Sequence, residues 1–173
     1  MKKTGISIVL VLLMCAMAKA QAVSEQLAKI GDEAKEKISK EMPGWTFRSI
    51  EPVQGSKNVI IQHWEQSDIA VKITFIQWDT EPHAVQALKD FKAHLKVEET
   101  AAANRGKELH LVKGDLPGMG DEASTLDIRG SEAVTFRKRN FLVFVSVPRP
   151  DGNKDAFFSR KFAAFAASVL ELQ

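Results

Sequence analysis

The segment Asn140 to Val147 constrains this chain more than any other. In an extended strand Phe141, Val143 and Val145 fall on one face and Leu142 and Phe144 on the other, so both faces need apolar cover. A strand of that kind points to a central position in a sheet with cover on both sides.

The rest of the chain supplies candidates for those layers. Ser24 can cap a helix whose apolar positions Val23, Leu27, Ile30, Ala34, Ile38 and Met42 recur at spacings of three and four, and Pro43-Gly44 ends it. Glu25/Lys29, Glu33/Lys37 and Glu36/Lys40 stand four apart with the acid first, as on a solvated helix face. Asp79 or Thr80 caps a second helix from Glu81 to about Val97, with Pro82 in the tolerated first turn and a stripe of Val85, Leu88, Phe91 and Leu95. Polar Glu98 to Gly106 reads as a loop, and Asp155 caps a last helix with Phe158, Phe162, Phe165 and Val169 on one face.

Strand patterns fill the intervals. A strand begins after Trp45-Thr46-Phe47. Asn58 to Glu65 and Ile69 to Trp78 form a hairpin about Gln66-Ser67-Asp68. If Glu65 pairs with Ile69, then Val59, Ile61 and His63 share a face with Phe75, Ile73 and Val71, and His63 meets Val71. A short strand at Glu108 to Val112 precedes a meander of Ala123 to Ile128, Glu132 to Lys138 and Asn140 to Val147, with turns at Arg129-Gly130-Ser131 and Arg139-Asn140. The order α-β-β-β-α-β-β-β-β-α predicts an α+β fold, an antiparallel sheet of about five to seven strands covered by helices.

Residues 1–20 read differently. Lys2 and Lys3 precede the apolar run Ile6 to Met17, and Ala18-Lys19-Ala20 closes it, the pattern of a secretory signal peptide. The expected organisation is therefore a signal peptide at 1–20 and a single α+β domain at 21–173, periplasmic or secreted. Removing the leader takes away three lysines and leaves 21 basic against 22 acidic residues. A net charge near zero gives no field to draw nucleic acid, and no stable membrane anchor is expected after cleavage. Cys15, the only cysteine, lies in the leader, so the mature chain has neither disulfide nor thiolate chemistry. Acylation of Cys15 would make a lipoprotein, but Met14 stands where that processing needs a small residue.

The run Leu116-Pro-Gly-Met-Gly-Asp-Glu-Ala123 contains a formal GxGxxA match. A dinucleotide fingerprint needs a strand before it and a helix after it, whereas here a strand follows and two carboxylates would repel a pyrophosphate. Glycines that supply positive φ in a turn explain the run better. With the following strand, the hairpin Val134 to Val147 and the Ala-rich terminal helix, it resembles small exported bacterial proteins of PsbP-like fold over about residues 108–172. The resemblance implies an antiparallel sheet sandwiched by helices, and binding or assembly more often than catalysis. The family includes lipoproteins and the extracellular sensor domain of a mycobacterial Ser/Thr kinase; this mature chain lacks cysteines, so that sensor's disulfides and any ligand site are not carried over.

Candidate chemistry is sparse. His63, His83, His94 and His110 lack HExxH or paired spacing, Asp79 and Glu81 suit a helix N-terminus, and His94 falls on the exposed side of its helix, so no metal or other cofactor is expected. There is no Gly-x-Ser-x-Gly elbow and no Ser-x-x-Lys pair, so no catalytic residue is assigned. Glu98-Glu99 and Asp121-Glu122 read as solvated loop carboxylates. Arg137-Lys138-Arg139, with Arg129 near, forms a candidate patch for an anionic partner, and Phe136 and Phe141 should turn inward rather than stack on bases. Trp45, Trp64 and Trp78 all lie near strand ends; a cleft bordered by His63, Trp64 and Trp78 is the candidate ligand site. The expected function is an exported, non-catalytic binding or assembly module of the bacterial cell envelope, with an unknown protein or small ligand as partner. The alternatives are a small secreted hydrolase with a non-local Ser/His/Asp site and an envelope or secretion chaperone using exposed sheet edges.

Overall fold

Strand β7, Phe141–Ser146, is the fourth of seven in a wholly antiparallel sheet. It appears so in a computed structural model, which describes residues 23–106, 110–128, 131–147 and 154–172. The candidate signal peptide and Arg129 lie outside the described residues. The elements in chain order are α1 (Glu25–Glu41), β1 (Thr46–Pro52), β2 (Val59–Gln66), β3 (Ile69–Gln77), α2 (Glu81–Ala103), β4 (Val112–Asp115), β5 (Glu122–Ile128), β6 (Ser131–Lys138), β7 and α3 (Lys154–Glu171). The sheet order is β1-β2-β3-β7-β6-β5-β4. This is the α+β fold and the element order that the sequence predicts.

Helices cover both faces of the sheet. On the first face α1 and α3 bury Leu27, Ile30, Ile38, Phe162 and Val169 against Ile60, Trp64, Val71, Ile73, Phe75, Phe136, Val143 and Val145. On the second face α2 buries Leu88, Phe91 and Leu95 against Val59, Ile76, Leu126 and Leu142, with the Phe91 ring edge-on to Phe144 at 4.8 Å. Each layer removes several large apolar side chains from water, at roughly 1.5–3 kcal/mol apiece before entropy is subtracted.

Local signals set the helix starts. Ser24 Oγ accepts from the Leu27 N–H at 3.1 Å, and the stripe from Leu27 to Ile38 is buried as its spacing requires. Thr80 rather than Asp79 caps α2, accepting from the His83 N–H at 3.4 Å. In α2, Ala84 is buried and Val85 only half-buried. This helix also runs past its expected end at Val97 to Ala103, through much of the expected loop. Ala101-Ala102-Ala103 are strong helix formers, Ala102 is buried, and Glu99 accepts from the backbone N–H groups of Leu111 and Val112 at 2.5 and 3.1 Å. Consequently β4 starts at Val112, where the sequence reading ended it. Helix α3 starts at Lys154, which puts Asp155 in its first turn rather than at the cap.

The most consequential correction concerns the β2–β3 hairpin. Gln66, not Glu65, pairs with Ile69, leaving the two-residue turn Ser67-Asp68 with Ser67 at φ 55°. Two-residue turns match the twist of the flanking strands, and a shift of one residue moves every side chain to the opposite face. Trp64 therefore lies opposite Val71 on the first face, while His63 lies opposite Lys72 on the second. The slip buries the larger apolar ring and leaves the imidazole half-exposed, which the hydrophobic effect favours.

Candidate functional site

The two faces are covered unequally. Helix α2 packs on β7, β6 and β4, whereas α1 and α3 share the first face from β1 across to β7 and β6. At the end of the second face nearest the Ser67-Asp68 turn, side chains of β1, β2, β3 and β7 stay partly open. Cross-strand register sets Ser49, His63, Lys72 and Ser146 in one row and Glu51, Ile61, Thr74 and Phe144 in the next. Lys72 and Glu51 are exposed, Ser49, Ile61, His63, Phe144 and Ser146 half-buried, and Thr74 forms the buried floor.

A serine, a carboxylate and a histidine meet here. Ser49 Oγ donates to Glu51 Oε1 at 2.8 Å, and Glu51 Oε2 lies 4.0 Å from His63 Nε2. In a hydrolytic triad the imidazole stands between hydroxyl and carboxylate and takes the hydroxyl proton. In this protein the carboxylate stands between the other two, so the hydroxyl hydrogen is directed away from the base.

The expected cleft of His63, Trp64 and Trp78 does not form. Trp64 is fully buried on the first face, with its Nε1 donating to Gln62 Oε1 at 3.1 Å. Trp78 shares the second face with His63 but lies six residues along β3 from Lys72, about 20 Å away at strand rise. Its backbone N–H donates to the Asn140 carbonyl at 2.8 Å and its carbonyl accepts from Asn140 Nδ2 at 2.7 Å, joining β3 to the β6–β7 turn.

The basic run is engaged within the chain. Arg137 is almost buried, and its Nη1 donates to Glu81 Oε1, Asp121 Oδ2 and the Arg139 carbonyl, each at 3.0 Å. Lys138 Nζ lies 3.3 Å from Asp121 Oδ1, and the Arg139 N–H donates to Asp121 Oδ2 at 2.7 Å. Only Arg139 keeps an exposed side chain. Asp121 and Glu122 are likewise not merely solvated: Lys92 Nζ meets Glu122 Oε1 at 2.8 Å. The Leu116 to Ala123 run is thus a turn tied to the β6–β7 hairpin and to the start of α2. It borders a shallow concavity of about 330 Å³ beside Lys92.

Two measurements test this tie. Burial alone would raise the Asp121 carboxyl pKa; the hydrogen bonds from Arg139 and Lys138 and the charges of Arg137 and Lys138 outweigh it and hold the carboxyl below its ordinary value. A lowered folded pKa stabilises above the unfolded value and is lost as pH falls through the folded one. Asp121→Asn should therefore cost about 1–2 kcal/mol at neutral pH, with the gap to wild type closing below roughly pH 4, read from urea unfolding across pH.

The second concerns the glycines. Gly118 and Gly120 have φ of 80° and 63°; a Cβ on Gly118 meets open space, whereas one on Gly120 would lie 2.5 Å from the Arg137 carbonyl oxygen and 3.1 Å from the Phe136 ring. Gly118→Ala should cost about 1 kcal/mol for its left-handed backbone. Gly120→Ala should cost about 2 kcal/mol because the clash adds to the same backbone cost, and equal losses in thermal unfolding would contradict the close approach.

Among the described residues no group of three or more His, Cys, Asp and Glu side chains could hold a metal ion, and no helix is long and apolar enough to cross a membrane. Comparison of the chain with family models, with curated proteins and with solved structures gives no match. The class defined by the geometry is an antiparallel seven-stranded sheet held between helices, with part of its second face only partly covered.

Proposed function

We propose that this protein is an exported, non-catalytic binding module of the bacterial cell envelope, and that it engages its ligand or partner on the partly open end of the second sheet face. One observation carries the reading: α2 packs on β4, β6 and β7 and on the Val59 and Ile76 end of β2 and β3, while Ser49, Ile61, His63, Lys72 and Ser146 remain partly accessible. Partly exposed apolar and donor groups side by side on a sheet suit recognition, because the paired strands fix their backbone positions before binding. The leader at 1–20 and the resemblance to PsbP-like exported proteins support the compartment and the role.

A secreted hydrolase is the second reading, favoured by the meeting of Ser49, Glu51 and His63. The carboxylate's central position argues against it. A tryptophan-fluorescence binding screen run beside ester and peptide hydrolysis assays separates the two. The proposal expects saturable binding without turnover; hydrolysis that disappears in His63→Ala would replace it with the enzyme.

A further inference from the structure

We infer that Glu99 is a built-in guard on the outer edge of β4, and that removing its carboxylate lets a second copy of this chain add a strand there. This role lies outside the binding reading above and stands whether or not a ligand meets the second face. An outermost strand presents a row of backbone N–H and C=O groups with no partner strand, and such a row templates pairing with another chain unless something blunts it. Among the described residues the outermost strands are β1 and β4.

The β1 edge is blunted by its own backbone. Its register shifts between Phe47 and Ser49. The Val53 N–H donates inward to the Val59 carbonyl at 3.2 Å, so the neighbouring position 52 faces outward, where proline brings no N–H.

The guard on β4 comes from another element. The Leu111 carbonyl accepts from the Asp127 N–H at 2.8 Å, and Val112, next along the strand, stands opposite Leu126. Backbone groups alternate in direction along an antiparallel strand, so the Val112 N–H points away from β5. Glu99 Oε1 accepts that N–H at 3.1 Å and the Leu111 N–H at 2.5 Å. One carboxylate thus takes two successive donors where the strand begins, in charge-assisted bonds that an incoming strand would have to displace. Burial does not account for the helix that delivers it. Past Leu95, α2 continues to Ala103 and buries only Ala102, while Val97 is 65% exposed, so these turns fix backbone for little apolar gain. They carry Glu99 to the start of β4. Both edges are thereby closed to the strand addition that an edge-using chaperone needs.

Sedimentation velocity of the purified chain over a wide concentration range tests this. Wild type and Glu99→Gln, which keeps an acceptor oxygen in place, should sediment alike and independently of concentration. Glu99→Ala should pass to a dimer as concentration rises, and Glu99→Asp, whose carboxylate is one methylene shorter, should do so to a lesser extent. In dilute solution the Val112 amide of Glu99→Ala should exchange about tenfold faster than in wild type, the loss of one bond to a charged acceptor, and it should regain protection in the dimer. The double variant Glu99→Ala/Val112→Pro has no freed N–H and should return to the monomer. Near-UV circular dichroism reports whether each variant keeps the native packing. Glu99→Ala that associates no more than wild type, a dimer that survives Val112→Pro, or association seen only together with loss of the native near-UV spectrum would overturn the inference.

Discussion

Replacing Trp64 by alanine is expected to cost about 4 kcal/mol of folding stability, in the upper range for truncating a core aromatic. The ring is fully buried between the sheet and the helices of the first face, edge-on to Phe47 at 5.2 Å and to Phe162 at 5.9 Å. Its removal opens a cavity and also releases Gln62, a fully buried amide that accepts from Trp64 Nε1 at 3.1 Å and donates to the Gly31 carbonyl at 2.6 Å. Both effects act in the same direction, since a buried acceptor left without its donor adds a desolvation penalty. Urea unfolding should show the midpoint moving strongly with little change in slope. A variant of wild-type stability that had lost ligand binding would place the ring at a surface and contradict the register of β2 with β3.

Arg137→Met should cost about 3 kcal/mol, the lower end for breaking a buried ion pair by removing one partner. Methionine keeps most of the volume of the stem, so the loss isolates the charge. What remains is Asp121, with its Oδ2 now held by the Arg139 N–H alone, and Glu81, which is more than half exposed and returns to water. That exposure is why the expected cost lies at the low end. The variant should also loosen the Leu116 to Ala123 turn, read as faster amide exchange at Gly120 and Asp121 than at β5 residues such as Leu126. A change below about 1 kcal/mol, typical of solvated pairs, would mean that the guanidinium is wetter than its burial implies.

Much of the architecture is legible in the sequence because it follows from periodicity. Both faces of β7 are apolar, and it lies at the sheet centre; the stripes of α1 and α3 are buried as their spacing dictates. The inward turn of Phe136 and Phe141 and the positive φ of Gly118 and Gly120 follow from strand period and turn chemistry. Periodicity fails where a pattern of two is ambiguous by one residue. Gln66-Ser67-Asp68 is compatible with a two- or a three-residue loop, and His63-Trp64 carries a plausible inward residue in either register. Choosing the tighter turn would have placed Trp64 inward and brought Ser49, His63, Lys72 and Ser146 into one row.

The ion tie about Asp121 is illegible for a different reason. Glu81, Asp121 and Arg137 come from three separate segments, and nothing local in Arg137-Lys138-Arg139 distinguishes an engaged cation from a free patch. The same holds for Ser49, Glu51 and His63, which meet only through the pairing of β1 with β2. The extension of α2 was readable in part: Ala101-Ala102-Ala103 is a helical run, outweighed in the sequence reading by the polar residues before it.

In the function proposed above, this protein meets its ligand on the partly open end of the second sheet face. The most direct test is a backbone-amide shift map recorded during a broad fragment and peptide screen. Saturating shifts concentrated at Ser49, Ile61, His63, Lys72, Phe144 and Ser146 are the expected outcome. Hits gathered instead in the concavity beside Lys92 or in the groove of about 480 Å³ between α1 and α3, with that row silent, would contradict it.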